Sequence, residues 1–303
     1  MSYSVIIPCF NAQDYIDQAL NSVLNQTVSA KEIILVDNNS TDNTLNKIND
    51  YASNYSNVKC IVETNKGASF ARNAGLKIAS GDYIQFLDVD DYLSNDKVKL
   101  QLEYIKHSGN DIDVLFDNYV VEWGEQKRKV FNNEMSDLWL GFLKGRLGFT
   151  SSNLWRREAL LKIGGFDVSL KTSEEYQLIF EILKNNGSYL MVETSSTIKR
   201  EINVHSLTKS EPELNWIRYS SLRFDVISYL EASGLVNNHH YVAFFDVLRV
   251  LYPINRILAI KYYNLLLRNK FSILNTETTS KSYVVLFKIF GFQTTEFFKK
   301  LLK

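Results

Sequence analysis

The sequence has little of what breaks, cross-links or anchors a chain. With 3 prolines and 13 glycines among 303 residues, long disordered linkers are not expected. Its two cysteines, Cys9 and Cys60, lie outside any CxxC pattern, so no disulfide framework is implied. No segment reaches the roughly 18 uninterrupted apolar residues of a membrane span. The N-terminus enters an apolar strand-like run without a basic stretch or cleavage site, so no signal peptide is expected and the protein reads as cytoplasmic. Net charge is absent too, with 34 basic and 34 acidic groups. That balance hides an asymmetry: residues 211–303 carry 12 basic and 7 acidic side chains, leaving 22 basic and 27 acidic in residues 1–210. An acidic front suits a metal site. A basic tail suits an anionic surface or a solvated helix face.

What is present is ordinary globular material, 45% hydrophobic and 22% charged, enough for a full core. The length suits one large domain and a smaller one. Ser4–Pro8, Glu32–Asp37, Val58–Val62 and Tyr83–Leu87 are short apolar runs rich in β-branched residues, the length of buried strands. Helical spacing lies between them, with Ile16, Ala19, Leu20 and Val23 on one face. Cap chemistry at Ser40-Thr41-Asp42 precedes a helix from about Thr44, and a third helix over Ser69–Ala79 is expected to cap at Gly81. This alternation predicts a parallel sheet with helices on both faces. Further on, the pattern predicts a helix over Asn95–His107, two strands within Val114–Phe131, a short helix at Arg157–Ile163, a clear helix over Glu174–Asn185 and an edge strand at Ser196–Arg200. From Glu211 strand signals fade into helical segments at Leu214–Glu231, Tyr241–Leu251, Arg256–Leu267 and Tyr283–Leu302. The expected division is therefore a domain over 1–210 and a helical region over 211–303.

Ligands of an open α/β sheet bind outside the carboxyl ends of its strands. The first strand ends in Pro8-Cys9-Phe10-Asn11, the second at Asp37, the fourth in Asp88-Val89-Asp90-Asp91. Three carboxylates in four residues repel one another unless a cation neutralises them. Oxygen ligands suit Mg²⁺ or Mn²⁺, which take one or two carboxylates together with substrate phosphates. The bland alternative is an exposed acidic turn.

The runs SVIIPCFN, LVDNNSTDNT and NKGASFARNAGLKIASGDYIQFLDVDD together resemble the inverting family 2 glycosyltransferases, over about residues 2–206. The resemblance implies a GT-A fold (Rossmann-like), a nucleoside-diphosphate sugar donor, usually a UDP-sugar, and a divalent metal. Carried over by position, Pro8 shapes the strand end and Phe10 lies against the base. Asp37 accepts from uracil N3–H, Asp88 contacts the ribose or diphosphate region, and Asp90 ligates the metal with Asp91 helping or orienting neighbours. Lys66, Gly67, Arg72 and Asn73 border the nucleotide. Each has a plainer reading beside it: Phe10 as core, Asp37 as an Asx-turn, Lys66 and Arg72 as partners of acidic loops.

Gly164-Gly165-Phe166-Asp167 with Ser173-Glu174-Glu175 resembles the family's GGFD segment and its downstream acidic pair. The family has Glu-Asp where this chain has Glu-Glu, so the implied general base is Glu175, with Glu174 as fallback. Thr172-x-x-Glu175 also has capping-box spacing. Lys199-Arg200 resembles the family's Tyr-Arg near the diphosphate and carries over Arg200. The family's His falls where this chain has Ile202, and His205 is displaced from it.

The chain lacks the QxxRW of processive synthases, which points to addition of a single sugar to a hydroxyl on a glycan or lipid-linked glycan, as in bacterial surface glycan assembly. Acceptor choice falls to residues 117–155 and the tail; no nucleic-acid partner is expected. The rival classes are a nucleotidyltransferase, whose Gly-rich basic loop PCFNAQDY does not match, and a non-catalytic sugar-nucleotide-binding protein. In the tail, apolar residues from Val284 to Leu301 stand beside Lys288, Lys299 and Lys300. That pattern fits peripheral membrane contact, packing on the preceding helices, or a second subunit in a homo-oligomer.

Overall fold

The computed structural model describes residues 1–131, 137–201, 211–274, 276 and 279–301. They fall into two units: 1–135 with 146–204, and 136–145 with 205–303.

The first unit is built on β1 (Tyr3–Cys9), β2 (Glu32–Asp37), β3 (Val58–Val62) and β4 (Tyr83–Phe86), joined by α1 (Ile16–Leu24), α2 (Thr44–Asn54) and α3 (Ala68–Ile78). Then follow β5 (Tyr92–Leu93), α4 (Lys97–Ser108), β6 (Val114–Asp117), β7 (Tyr119–Trp123) and β8 (Gln126–Val130). The short helix α5 (Leu138–Leu143) belongs to the second unit. The chain returns with β9 (Leu154–Arg156), α6 (Arg157–Lys162), α7 (Glu174–Lys184), β10 (Tyr189–Val192) and β11 (Thr197–Arg200).

The larger sheet has seven strands in the order β10-β6-β9-β4-β1-β2-β3. Only β9 runs antiparallel to its neighbours. Alternation along β1 decides which helix covers which face. Val5, Ile7 and Cys9 join a core with Ile16, Ala19 and Leu20 of α1. Ile6 points the other way, under α3, where a Cβ on Gly75 would stand 2.5 Å from Ile6 Cγ2. This is the predicted mostly parallel α/β sheet, flanked by helices.

Three expectations change. Gly81 does not cap α3, which ends with Ala79 in extended conformation. Glycine is needed there because a Cβ would meet the Ser4 backbone nitrogen at 2.5 Å. The run Val114–Phe131 holds three strands, and β6 and β7 enter different sheets across Asp117-Asn118. Finally, β11 is not an edge strand: the second sheet runs β5-β11-β7-β8, with β11 between β5 and β7.

A buried polar network lies within this unit. The Ser151 carbonyl accepts from Gln85 Nε2 (2.8 Å), Lys97 Nζ (3.2 Å) and Thr197 Oγ1 (3.3 Å). Lys97 also donates to Gln85 Oε1. Burial pushes the fully enclosed Lys97 ammonium down to about 7, against the pull of Asp117. Such groups are tolerated inside only with partners.

The second unit is helical: α5, α8 (Pro212–Ala232), α9 (Asn238–Ile254), α10 (Arg256–Tyr262) and α11 (Lys281–Leu301). The expected helix over Arg256–Leu267 changes to a π-turn at Tyr263–Leu267. Helix α11 is broken at Gly291, whose φ of 71° and ψ of −179° no helical residue adopts. Asp137 caps α5 by accepting from Leu140 N at 2.9 Å. Inside, the buried Arg249 pairs with Glu296 at 2.9 Å, and Tyr283 donates to Glu296 at 2.7 Å. Phe245, Tyr263, Phe287 and Phe292 pack edge-on and stacked around them.

Candidate active site

The sheet brings the three chemically loaded strand ends together. Strand β1 lies between β2 and β4, and the register sets Cys9 beside Asp37. After β1 the Phe10 ring stands 54% exposed, open to a stacking partner. Asn11 turns the chain with φ 47° and accepts from Thr41 N at 2.8 Å. Asp37 is 2% exposed. Its Oδ2 accepts from Ser40 N at 3.3 Å, three residues on, whereas Oδ1 is buried with no partner among the described residues. A buried acceptor left open beside an exposed aromatic ring suits an N–H of a flat heterocycle. The neighbouring Asn38 holds the next loop by donating to Glu63 O and Asn65 O and accepting from Gly67 N. Lys66 is exposed on that loop.

The turn after β4 is clamped from several sides. Asp88 N donates to Ser151 Oγ (3.0 Å), and Asp91 N to Asp88 O (2.9 Å). Arg200 donates its backbone N–H to Asp91 Oδ1 (3.0 Å), Nε to the Asp90 carbonyl (2.6 Å) and Nη1 to Gln18 (2.5 Å). Its guanidinium sits over the Tyr15 ring. Arg200 and Asp91 therefore shape the turn. The Asp90 carboxylate is the one in this turn that accepts from no other described side chain or backbone group. Burial, with Asp88 nearby, raises it above the usual carboxylate range; burial, Asp88 and Asp90 raise Asp91 further. These carboxyls are crowded, and burial outweighs the opposing pull of Lys199 and Arg200, which is the chemistry a divalent cation relieves. Among the described residues no three His, Cys, Asp or Glu side chains converge on one point. An ion here would draw on Asp90 and on phosphates brought by a ligand.

Arg72 links this turn to the glutamate pair. Its Nη2 pairs with Asp88 at 2.7 Å and its Nη1 with Glu174 at 3.3 Å, and its guanidinium lies over the Phe166 ring. The Asn73 amide is engaged within the protein. Its amide donates to Phe166 O (2.8 Å) and accepts from Phe166 N (2.9 Å), fixing the GGFD segment. Helix α7 begins at Glu174, after Ser173 in left-handed conformation with no side-chain capping bond. The capping-box spacing counted from Thr172 does not match that start. Burial and the charge of Glu175 push Glu174 up to about 7, against the pull of Arg72. Glu175 forms no hydrogen bond to another described residue. Its charge is felt by Arg72, Tyr119 and Lys199.

A family profile for glycosyl transferase family 2 matches residues 4–164. The chain belongs to that family. A Haemophilus influenzae protein described as an uncharacterized glycosyltransferase is 30% identical over 243 residues, covering 78% of this chain and 92% of the relative. The Escherichia coli UDP-Glc:alpha-D-GlcNAc-diphosphoundecaprenol beta-1,3-glucosyltransferase WfgD is 30% identical, over 61% of this chain and 70% of its own. Some relatives are far longer: the chain spans 26% of the Bacillus subtilis minor teichoic acid biosynthesis protein GgaB, at 29% identity over 73% of itself. The solved Staphylococcus aureus TarS 1–349 with UDP-GlcNAc superposes with a TM-score of 0.65 at 22% identity, covering 89% of this chain and 78% of that one. That likeness establishes a shared GT-A fold.

In this glycosyltransferase the expected residues Pro8, Phe10, Asp37, Asp88, Asp90, Asp91 and Arg200 lie at strand ends and in the turn after β4, Arg72 lies within α3, and Glu174 and Glu175 open α7, all in one unit. His205 and Ile202 lie outside the described residues. Sequence reasoning missed Lys199, Tyr119 and Ser151. Burial works against the Lys199 charge, but Tyr119, Asp91, Asp88 and Glu175 outweigh it, and its ammonium lies 5.0 Å from the Phe149 ring centre. The one signal for Lys199 was its place beside Arg200 in the segment likened to Tyr-Arg.

Proposed function

We propose that this glycosyltransferase moves one sugar from a UDP-sugar to a hydroxyl on a glycan or lipid-linked glycan, with inversion, in bacterial surface glycan assembly. The observation that carries the mechanism is the unequal treatment of two adjacent glutamates. Glu174 is tied to Arg72 and is left to hold it. Glu175, one residue on, has no hydrogen-bond partner among the described residues, and its carboxylate is proposed to meet an acceptor hydroxyl. As that oxygen attacks the anomeric carbon, Glu175 takes its proton.

The uracil would stack on Phe10 and donate N3–H to the open Oδ1 of Asp37. Lys66, Arg72 and Lys199 provide positive charge around the diphosphate. A Mn²⁺ or Mg²⁺ ion held by Asp90 and the donor's phosphates would neutralise charge on the departing diphosphate. Arg200 and Asp91 hold the turn that presents Asp90, and Asn73 keeps the Phe166 segment in register with Arg72. The chemistry is assigned to residues 1–210. Residues 211–303 are assigned to contact with the acceptor's surroundings, with the chain working in the cytoplasm against the inner face of the membrane. The WfgD name, with its diphosphoundecaprenol acceptor, supports the lipid-linked alternative for the acceptor.

Glu175→Gln tests the mechanism, since it keeps the shape and loses the base. Transfer should fall by about 10²–10⁴-fold while calorimetric UDP affinity stays within about twofold. Retained turnover in Glu175→Gln, with loss in Glu174→Gln, would move the base to Glu174.

A further inference from the structure

Helix α11 divides its apolar residues between two directions. Tyr283, Phe287 and Phe292 turn inward onto Phe245. Val285, Ile289, Phe290, Phe297 and Phe298 turn outward and stand between 41% and 64% exposed. Across the break at Gly291 the Phe290 and Phe298 rings meet at 6.0 Å, and Phe297 and Phe298 at 6.2 Å. Packing on the preceding helices therefore accounts for one face of α11 and leaves an aromatic cluster uncovered.

The exposed charged residues described on α11 itself have one sign. Lys281 and Lys288 are exposed beside Val285 and Ile289 at helical spacing, and the sequence adds Lys299 and Lys300. Glu296 is the only acid in α11. It is buried and already paired with Arg249 and Tyr283, so it offsets nothing on the outer face.

We infer that α11 docks the chain on an anionic membrane surface, with Phe290, Phe297 and Phe298 entering the headgroup boundary and Lys281 and Lys288 meeting lipid phosphates. Aromatic bulk beside lysines is the composition of a helix lying in the interface. Lysine is depleted where two proteins meet, which argues against a second copy as the occupant. The purpose of this docking rests on the proposed membrane-held acceptor, though its chemistry does not.

The test is co-sedimentation of the full chain with vesicles of phosphatidylcholine alone and of phosphatidylcholine with phosphatidylglycerol, at low and high salt. Binding should require phosphatidylglycerol and weaken with salt. Each lysine replaced should lower the partition coefficient about fivefold, so Lys281→Gln with Lys288→Gln should lower it about 30-fold. Phe290→Ser with Phe297→Ser and Phe298→Ser should abolish binding at an unchanged unfolding temperature, because these rings are exposed. Equal recovery in the supernatant with both vesicle types would overturn the inference. So would a dimer, seen by sedimentation velocity, that the three serine substitutions dissociate without altering vesicle binding. UDP release with a water-soluble acceptor is measured alongside: its absence in the wild type counts against the transfer chemistry alone, and its persistence in the serine variant separates docking from catalysis.

Discussion

Replacing Glu174 by glutamine should remove a pH-dependent cost to folding. The carboxyl sits at 4.5 in its ordinary state and is pushed up to about 7 in the fold, by burial and then by Glu175, with Arg72 opposing. Its side chain is 17% exposed, so solvent screens it little. Between those two values the folded chain holds a proton that the unfolded chain has released. Stability from this group is therefore present below about 4.5 and is lost as pH rises toward about 7. The gap corresponds to about 3 kcal/mol as an upper bound. Glutamine keeps an acceptor for Arg72 Nη1 and cannot ionise. Urea unfolding of both proteins from about pH 5 to about pH 8 gives the difference curve, in which titrating groups remote from Glu174 cancel. Glu174→Gln should gain on the wild type as pH rises, levelling off above about pH 7.5. A difference flat to within about 0.5 kcal/mol across that range would refute the argument, because it would mean that Glu174 titrates normally. Adding Glu175→Gln to the wild-type background should lower the midpoint of the Glu174 transition, since a repelling charge is gone.

Other outcomes can be read directly. UDP should bind at least about tenfold more tightly with Mn²⁺ than with chelator, and Asp90→Ala should abolish that difference; equal calorimetric affinities would remove the ion from the scheme. Asp37→Asn should weaken UDP by about tenfold, a loss of about 1.4 kcal/mol, with little change for CDP, whose ring N3 carries no hydrogen; a parallel loss for both would place the base elsewhere. Gly81→Ala should cost about 1–3 kcal/mol in urea unfolding, because its Cβ would meet the Ser4 backbone rather than a yielding side chain. A change below about 0.5 kcal/mol would show that β1 shifts to admit it.

The first four strands and their helices were legible because each is a local pattern: four apolar runs, and helix faces such as Ile16-Ala19-Leu20-Val23. The strand-end residues followed from sheet geometry. What escaped depends on distant partners. Strand β9 is three residues long, too short to show a period, and it is a strand only because β4 and β6 flank it. Asn73 gave no sign that its amide would serve Phe166, 93 residues away. Asp91 was read as helping the metal or orienting neighbours and Arg200 as lying near the diphosphate; that the two bond to each other, with Arg200 also reaching Asp90 O and Gln18, gave no sign in the sequence. Glu175 was legible only through likeness to an acidic pair. The proposal of Glu175 as base draws further support from the tie between Glu174 and Arg72.

The clamp on the 88–91 turn has a consequence for synthesis. Strands β1 to β4 and their helices all lie within the first 90 or so residues. The Arg200 bonds to Asp91 and Asp90 span 109 and 110 residues, and Arg72 meets Glu174 across 102. Contacts this remote form late, after the loops between them have closed. A nascent chain emerging N-terminus first would carry β1 to β4 with the acidic turn untied, and the turn would be clamped only once residue 200 had left the ribosome.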